Sequence, residues 1–318
     1  MTDPPDHRRI RKAVQPHFTP QAVQAYEETV RTIANGLLDE LEESPEPDLA
    51  HDFAWRIPVA TVSRMLGFTE EERREVADIL FELETREPEA EEQGDYFELP
   101  AVAREAAERL AGFISEQLAA RRASPADDLL TELVQAEERG DLGPEETRGL
   151  TFILIMAGVD TTACLVGNGL HRLVDRPDDR RRIAEDPEFA ARATEELVRW
   201  EAPVTGESRV ALEDLQIAGG TIPEGARVWL CYAAANRDER RFEDPDRLDF
   251  ERAPKRHIGF GEGIHHCIGA PLARLEGRIA FEEFFRRFDS YEIGSHAQRH
   301  HQHTTRGWTR LPAKLERG

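Results

Sequence analysis

Apolar side chains recur at intervals of three and four through most of the chain, the spacing of amphipathic helices. Over residues 21–43 they fall at Val23, Tyr26, Val30, Ile33, Leu37 and Leu41, which predicts a single helix along that stretch. A second helix is predicted over 48–66, kinked at Pro58 because proline lacks the N–H of the helical ladder. Thr69 ahead of Glu70, Glu71 and Glu72 offers a cap and then acids at the positive end of the helix dipole. Residues 100–122 and 128–138 continue the helical pattern, and the polar stretch 86–95, with its Pro and Gly, reads as a surface connection.

From Pro144 the pattern runs for about thirty residues, to about Val174 ahead of Pro177, roughly 45 Å at helical rise. It is apolar nearly all round from Phe152 to Val159, which predicts burial. Near the C-terminus Leu272, Leu275, Ile279, Phe284, Phe285 and Phe288 mark the apolar face of another helix. Period-two patterning appears only between 208 and 230. Short strands are predicted at 209–211, 215–217 and 227–230, with turns at Gly219-Gly220 and Pro223-Glu224-Gly225.

Composition narrows the class. The 318 residues carry a net charge of −22, which opposes phosphate-backbone binding and excludes non-specific nucleic-acid partners. Cys164, Cys231 and Cys267 are scattered without a CxxC pair, as in a reducing cytosol. The first residues lack the apolar stretch of a signal peptide, and the longest apolar run, 152–159, is too short to span a bilayer. A soluble, cytoplasmic protein that binds no membrane is expected.

Several stretches carry chemistry. His7 and Arg11 lie four apart on one helix face, where two cationic groups could hold a carboxylate or simply be solvated. Ala157-Gly158-Val159-Asp160-Thr161-Thr162 puts a glycine, an acid and two hydroxyls into the apolar helix. Such local rule-breaking marks either a kink, with Thr161 bonding a carbonyl one turn back, or a site. Glu196 and Arg199 are three apart and can pair. In Phe260-Gly261-Glu262-Gly263-Ile264-His265-His266-Cys267-Ile268-Gly269 a cysteine stands between glycine turns at a helix N-terminus. N–H groups and the helix dipole there favour a thiolate, which can ligate a metal or haem iron. The plainer alternative is a buried cysteine after a Gly-rich turn. His296, His300, His301 and His303 form a tract better explained as a solvated loop than as a zinc site.

The pattern Phe-x-x-Gly-x-His-x-Cys-x-Gly, running on through Ala270-Pro271-Leu272-Ala273-Arg274-Leu275-Glu276, resembles the haem-binding loop of the soluble bacterial cytochrome P-450 haem-thiolate monooxygenases. The Ala/Gly-Gly-x-Asp/Glu-Thr-Thr and Glu-x-x-Arg motifs occur in that family's order. The resemblance implies a mainly helical fold with small β-sheets, one domain over 1–318. It implies haem b (iron protoporphyrin IX) with Cys267 as axial thiolate. His7, Arg11, Arg209 and His265 would clamp its propionates, and Ala157, Gly158, Phe260, Gly261 and Gly269 would lie against it. Asp160 and Thr161 would take the acid–alcohol role in O2 activation. Glu196, Arg199 and Arg247 would form a buried charge network, and Val204, Thr205 and Gly206 would face the substrate.

The implied reaction is O2-dependent hydroxylation or epoxidation of a small organic substrate of secondary metabolism. Electrons would come from a ferredoxin and its ferredoxin reductase, docking on Arg252, Lys255, Arg256, Arg274 and Arg278. A peroxide-driven peroxygenase and a non-catalytic haem-binding remnant are the rivals. The Asp160-Thr161 pair speaks against the first. The second arises because family members carry a substantial stretch ahead of the His7 helix: helices, two strands and a substrate lid. Without it, an unpaired sheet edge and poor haem retention are expected.

Overall fold

The computed structural model describes residues 2–84, 101–253, 256–299 and 304–317. The predicted surface connection at 86–95 lies outside the described residues, as do Lys255, His300, His301 and His303.

The helices are α1 Asp6–Val14, α2 Pro20–Gln24, α3 Glu27–Glu43, α4 Arg56–Met65, α5 Glu70–Glu84, α6 Ala101–Ala123, α7 Leu129–Glu138, α8 Pro144–Leu173, α9 Pro177–Glu185, α10 Pro187–Trp200, α11 Tyr232–Ala235 and α12 Ala270–Arg287. The single helix expected over 21–43 is divided at Ala25–Tyr26, a bend that lets both Val23 and Val30 reach the core. The expected kinked helix at 48–66 is a π-helical segment, Leu49–Trp55, followed by α4, with Pro58 in the first turn where a missing N–H is tolerated. Asp48 caps the π segment by accepting from Ala50 and His51 N–H groups. Thr69 and Glu72 form a reciprocal capping box for α5, with N–H to carboxylate at 2.7 Å and N–H to hydroxyl at 3.3 Å. The last apolar residue assigned to the C-terminal helix, Phe288, instead opens a strand.

The strands are β1 Glu207–Val210, β2 Leu215–Ile217, β3 Gly220–Ile222, β4 Arg227–Leu230, β5 Phe288–Ile293, β6 Gln298–Arg299, β7 Trp308–Arg310 and β8 Ala313–Arg317. Among the described residues they pair as two-stranded antiparallel sheets, β1 with β4, β2 with β3, β5 with β8 and β6 with β7. Ala218 and Gly219, both at positive φ, make the tight turn between β2 and β3. Val210, Leu212, Ile217 and Trp229 of the β1–β4 and β2–β3 region are exposed.

Two apolar cores fill the molecule. One gathers Val30, Leu38, Phe53, Leu170, Phe281 and Phe284 between α3, the π segment, the C-terminal half of α8, and α12. The other gathers Leu66, Ile79, Leu110, Leu130 and Leu133 from α4 to α7. Helix α8 threads both, contributing Ile155 and Val159 to the second and Leu165, Val166 and Leu170 to the first. It is the one helix among the described residues long and apolar enough to cross a membrane. Its apolar length is accounted for by these two cores. The rule-breaking stretch 157–162 sits at the seam between them.

Candidate active site

A cavity of about 430 Å³ opens at that seam. The expectation that 152–159 is buried all round is corrected here: Ile153 is 52% exposed because it faces the cavity, together with Leu154, Ala157, Gly158 and Thr161. A helix that is apolar on every face thus divides its surface between packing and a hollow.

The cysteine loop closes the cavity from α12. Gly261 and Gly263 adopt φ of 70° and 73°, a conformation that favours glycine, and Cys267 N–H donates to Phe260 O at 2.8 Å. Cys267, Phe260, Gly261, His265 and Gly269 all line the cavity. The Cys267 sulfur is exposed by area, because it opens into the cavity, yet protein surrounds it densely. Burial pushes the Cys267 thiol up, and the N–H groups of Gly269 and Ala270, with Arg11 and Arg274, pull against it without prevailing.

One rim of the cavity is cationic. Helix α1 is anchored by Arg9, which bonds Glu146 at 2.6 Å and Asp6 at 2.9 Å, so that His7 and Arg11 face inward. Arg11 donates to His266 O at 2.8 Å. The His7 and His265 rings lie 4.3 Å apart, and His265 reaches Asp3 at 3.3 Å. Burial, then His265 and Arg11, lower the His7 imidazole below its ordinary value. Arg209 joins the rim from β1, hydrogen-bonded to Tyr232, a cavity residue the sequence did not single out. A cationic rim, apolar walls and a cysteine with N–H donors fit a flat apolar group that bears carboxylates and a metal seeking a soft ligand. Haem has that chemistry.

The α8 wall holds the other expected groups. Thr161 Oγ1 donates to Ala157 O at 2.9 Å, the carbonyl one turn back, while the residue still lines the cavity. Asp160 does not line it. It is buried on another face of α8, with the Cys164 thiol 3.6 Å from its Oδ1. Gly158 lines the cavity, but a Cβ there would stand 2.9 Å from Val62 Cγ2, so glycine serves the approach of α4 to α8. Val204 lines the cavity beside Pro203 and Glu207. Thr205 instead bonds Thr304 O through its N–H at 2.8 Å, and a Cβ on Gly206 would meet Leu230 O at 2.6 Å. Those two positions are committed to backbone packing.

Glu276 was missed by sequence reasoning. It is 1% exposed, lies at the cavity wall, and bonds the hydroxyls of Thr61 on α4 and Thr162 on α8. Burial pushes its carboxyl up to about 8. Thr61 already donates to Ile57 O at 2.9 Å, so it can only accept from Glu276, which a neutral carboxyl satisfies. Oε1 of Glu276 has no hydrogen-bond partner among the described residues.

Beneath the loop, Arg199 is buried and paired with Glu196 through two bonds of 2.7 Å. Its other N–H groups reach the carbonyls of Asn236, Pro245 and Arg247. The third side chain of this network is Arg252, 12% exposed and 3.1 Å from Glu196, and not Arg247. Arg247 turns its guanidinium outward, 70% exposed, and contributes only its carbonyl. Among the described residues, the cations expected to form a docking face are each ion-paired, Arg256 and Arg274 in pairs that remain exposed. Arg252 pairs with Glu196, Arg256 with Glu262, Arg274 with Glu195, and Arg278 with Glu27 and Glu282, all within 3.1 Å. His296 is exposed.

A family model described as cytochrome P450 matches residues 188–316. Cytochrome P450 107B1 of Saccharopolyspora erythraea is 38% identical over 299 residues, covering 92% of this chain and 70% of that protein. The 6-deoxyerythronolide B hydroxylase of the same organism is 35% identical over 320 residues, covering 99% and 77%. The solved structure of the bacillaene polyketide synthase cytochrome P450 PksS of Bacillus subtilis 168 superposes with a TM-score of 0.89 at 34% identity, covering 99% of this chain and 80% of that one.

Proposed function

The chain belongs to the cytochrome P450 family and is a haem-dependent monooxygenase, an oxidoreductase, and from that premise we propose how its residues divide the work. The observation that carries the reading is that Cys267 opens into the same cavity as Thr161 and the rim of His7, Arg11, Arg209 and His265.

Cys267 would hold haem b, which when bound would supply reductive activation of O2 and insertion of one oxygen atom into a small organic substrate. The four rim residues would hold its carboxylates, Arg11 and Arg209 by charge and His7 and His265 as hydrogen-bond donors. Ile153, Leu154 and Ala157 exclude water from the reacting side. Thr161, whose proton is given to Ala157 O, offers lone pairs toward the cavity and can accept and pass a proton. Glu276, neutral below about pH 8, keeps a proton at its carboxyl beside Thr162. Asp160 stands on the protein side of α8 as the acid that exchanges protons with that wall.

Hydroxylation or epoxidation of an apolar secondary metabolite suits this lining, and the relative whose name states hydroxylation of 6-deoxyerythronolide B supports that class. We place the protein in the cytoplasm, reduced by a ferredoxin and its reductase. Because the cations near the loop are paired and the chain carries −22, reduction by an acidic ferredoxin is expected to stay level or quicken as salt is added. Stopped-flow reduction that slows steeply with salt would reinstate a free cationic docking face.

The central test is Cys267→Ser. The reduced, carbon-monoxide-bound wild type is expected to show the red-shifted band of thiolate-ligated haem, and the serine protein to lack it. Persistence of that band in the variant refutes the ligand assignment.

A further inference from the structure

Glu195, on α10, and Arg274, on α12, meet beside the cysteine loop. Arg274 Nε and one terminal nitrogen donate to the two Glu195 oxygens at 2.7 and 2.8 Å, a two-pronged pair. Glu195 Oε1 also meets His257 Nε2 at 2.9 Å, and on the other side of that buried ring Nδ1 accepts Gly259 N–H at 3.0 Å. A ring nitrogen that accepts carries no proton, so His257 donates to Glu195 through Nε2. Burial by itself would raise the Glu195 carboxyl, but Arg274 and His257 outweigh it and hold it at about 2.

Two routes therefore run from one carboxylate to the loop. The first passes through His257 to the backbone of Gly259, where a Cβ would stand 2.7 Å from Val198 of α10. The second passes through the Arg274 guanidinium, 4.4 Å from the centre of the Phe260 ring, and Phe260 O in turn holds the Cys267 N–H. The neighbouring Glu196 has a separate task, tying α10 to Arg252.

We propose that Glu195 is a positioning residue for Cys267. Through His257 and Arg274 it clamps the loop against α10 and α12 and so fixes where the sulfur sits. Arg274 thereby belongs to the scaffold of the ligand loop. The inference rests on Cys267 being the haem ligand, and its test separates the two.

Haem-loaded wild type, Glu195→Ala, Glu195→Gln and the Glu195→Ala/His257→Ala double variant are titrated with urea. The red-shifted carbon-monoxide band and helical circular dichroism are read on the same samples. In Glu195→Ala the band is expected to disappear well before the helical signal, and in buffer to convert about tenfold faster than in wild type, as for loss of a charged hydrogen bond. Glu195→Gln keeps an oxygen for His257 but no charge for Arg274, and falls between; it carries the test if the alanine variant takes up no haem. The double variant converts no faster than Glu195→Ala. Band and helix lost together in every variant, or conversion at the wild-type rate, overturns the proposal. A wild type without the red-shifted band removes the ligand assignment itself, and the proposal with it.

Discussion

The two walls of the cavity are built on opposite rules. On the cysteine side the charged groups are paired, and only the buried side-chain amide nitrogen of Asn236 is left without a partner among the described residues. Glu195 bonds both His257 and Arg274, Glu196 and Arg199 bond Arg252 and three carbonyls, and Asn236 joins the two systems by accepting from Ile258 N–H at 2.8 Å while its carbonyl accepts from Arg199. Where α12 meets α4 and α8 polarity is left over: Glu276 of α12 is neutral with one oxygen unpartnered among the described residues, and Thr161 of α8 turns lone pairs to the hollow. A ligand that must hold one geometry needs an over-determined frame. A wall that handles protons needs groups whose bonding is incomplete, and it carries the cost of keeping them buried.

That contrast can be broken at its strongest point first. Arg199→Ala removes the two-pronged partner of buried Glu196, leaving it Arg252 and the Asp249 N–H, and is expected to cost about 3 kcal/mol, whereas Arg247→Ala, at an exposed guanidinium, should cost under about 0.5 kcal/mol. Equal losses in urea unfolding would return Arg247 to the network and remove the paired frame described for the cysteine side.

The junction of α12 with α4 and α8 predicts a pH signature. The Glu276 carboxyl is held at about 8 in the folded chain, against an ordinary 4.5, so the folded state keeps a proton the unfolded state has released. Stability attributable to this group is full below pH 4.5 and declines as pH rises to about 8. Glu276→Gln should abolish that decline and be more stable than wild type at pH 8 by up to about 4 kcal/mol, with the difference vanishing near pH 4. Parallel pH–stability curves for the two proteins would show that Glu276 is ionised, and the contrast between the walls would lose its proton reservoir.

The smallest effect sharpens what the glycine in α8 is for. Gly158→Ala should cost about 1–3 kcal/mol through overpacking on Val62, and Val62→Ala in the same chain should recover part of it. If Gly158→Ala is neutral for stability yet displaces haem or substrate, the glycine serves the cavity instead of the helix contact.

Much of this was readable before any coordinates. The order of helices, the strands between 207 and 230, and the cysteine loop follow from spacing and from glycines at turns, because those signals are local. The Glu-x-x-Arg pair and the cationic rim were readable as residue types. What sequence could not supply was partnership. Arg247 and Arg252 are chemically equal, and only the turn around 244–252 decides which guanidinium enters the interior. Glu276 looks like one more acid on a charged helix until α4 and α8 close over it. The docking cations look free until Glu195, Glu262 and Glu27 are found beside them.

The sequence by itself determined the elements, the family motifs and the candidate ligand, because helical periodicity and turn chemistry act over a few residues. Only the tertiary structure decided which charges are spent inside the protein, and which face of α8 is hollow instead of packed. Burial and ion pairing depend on groups brought together from distant parts of the chain, and no local pattern records them.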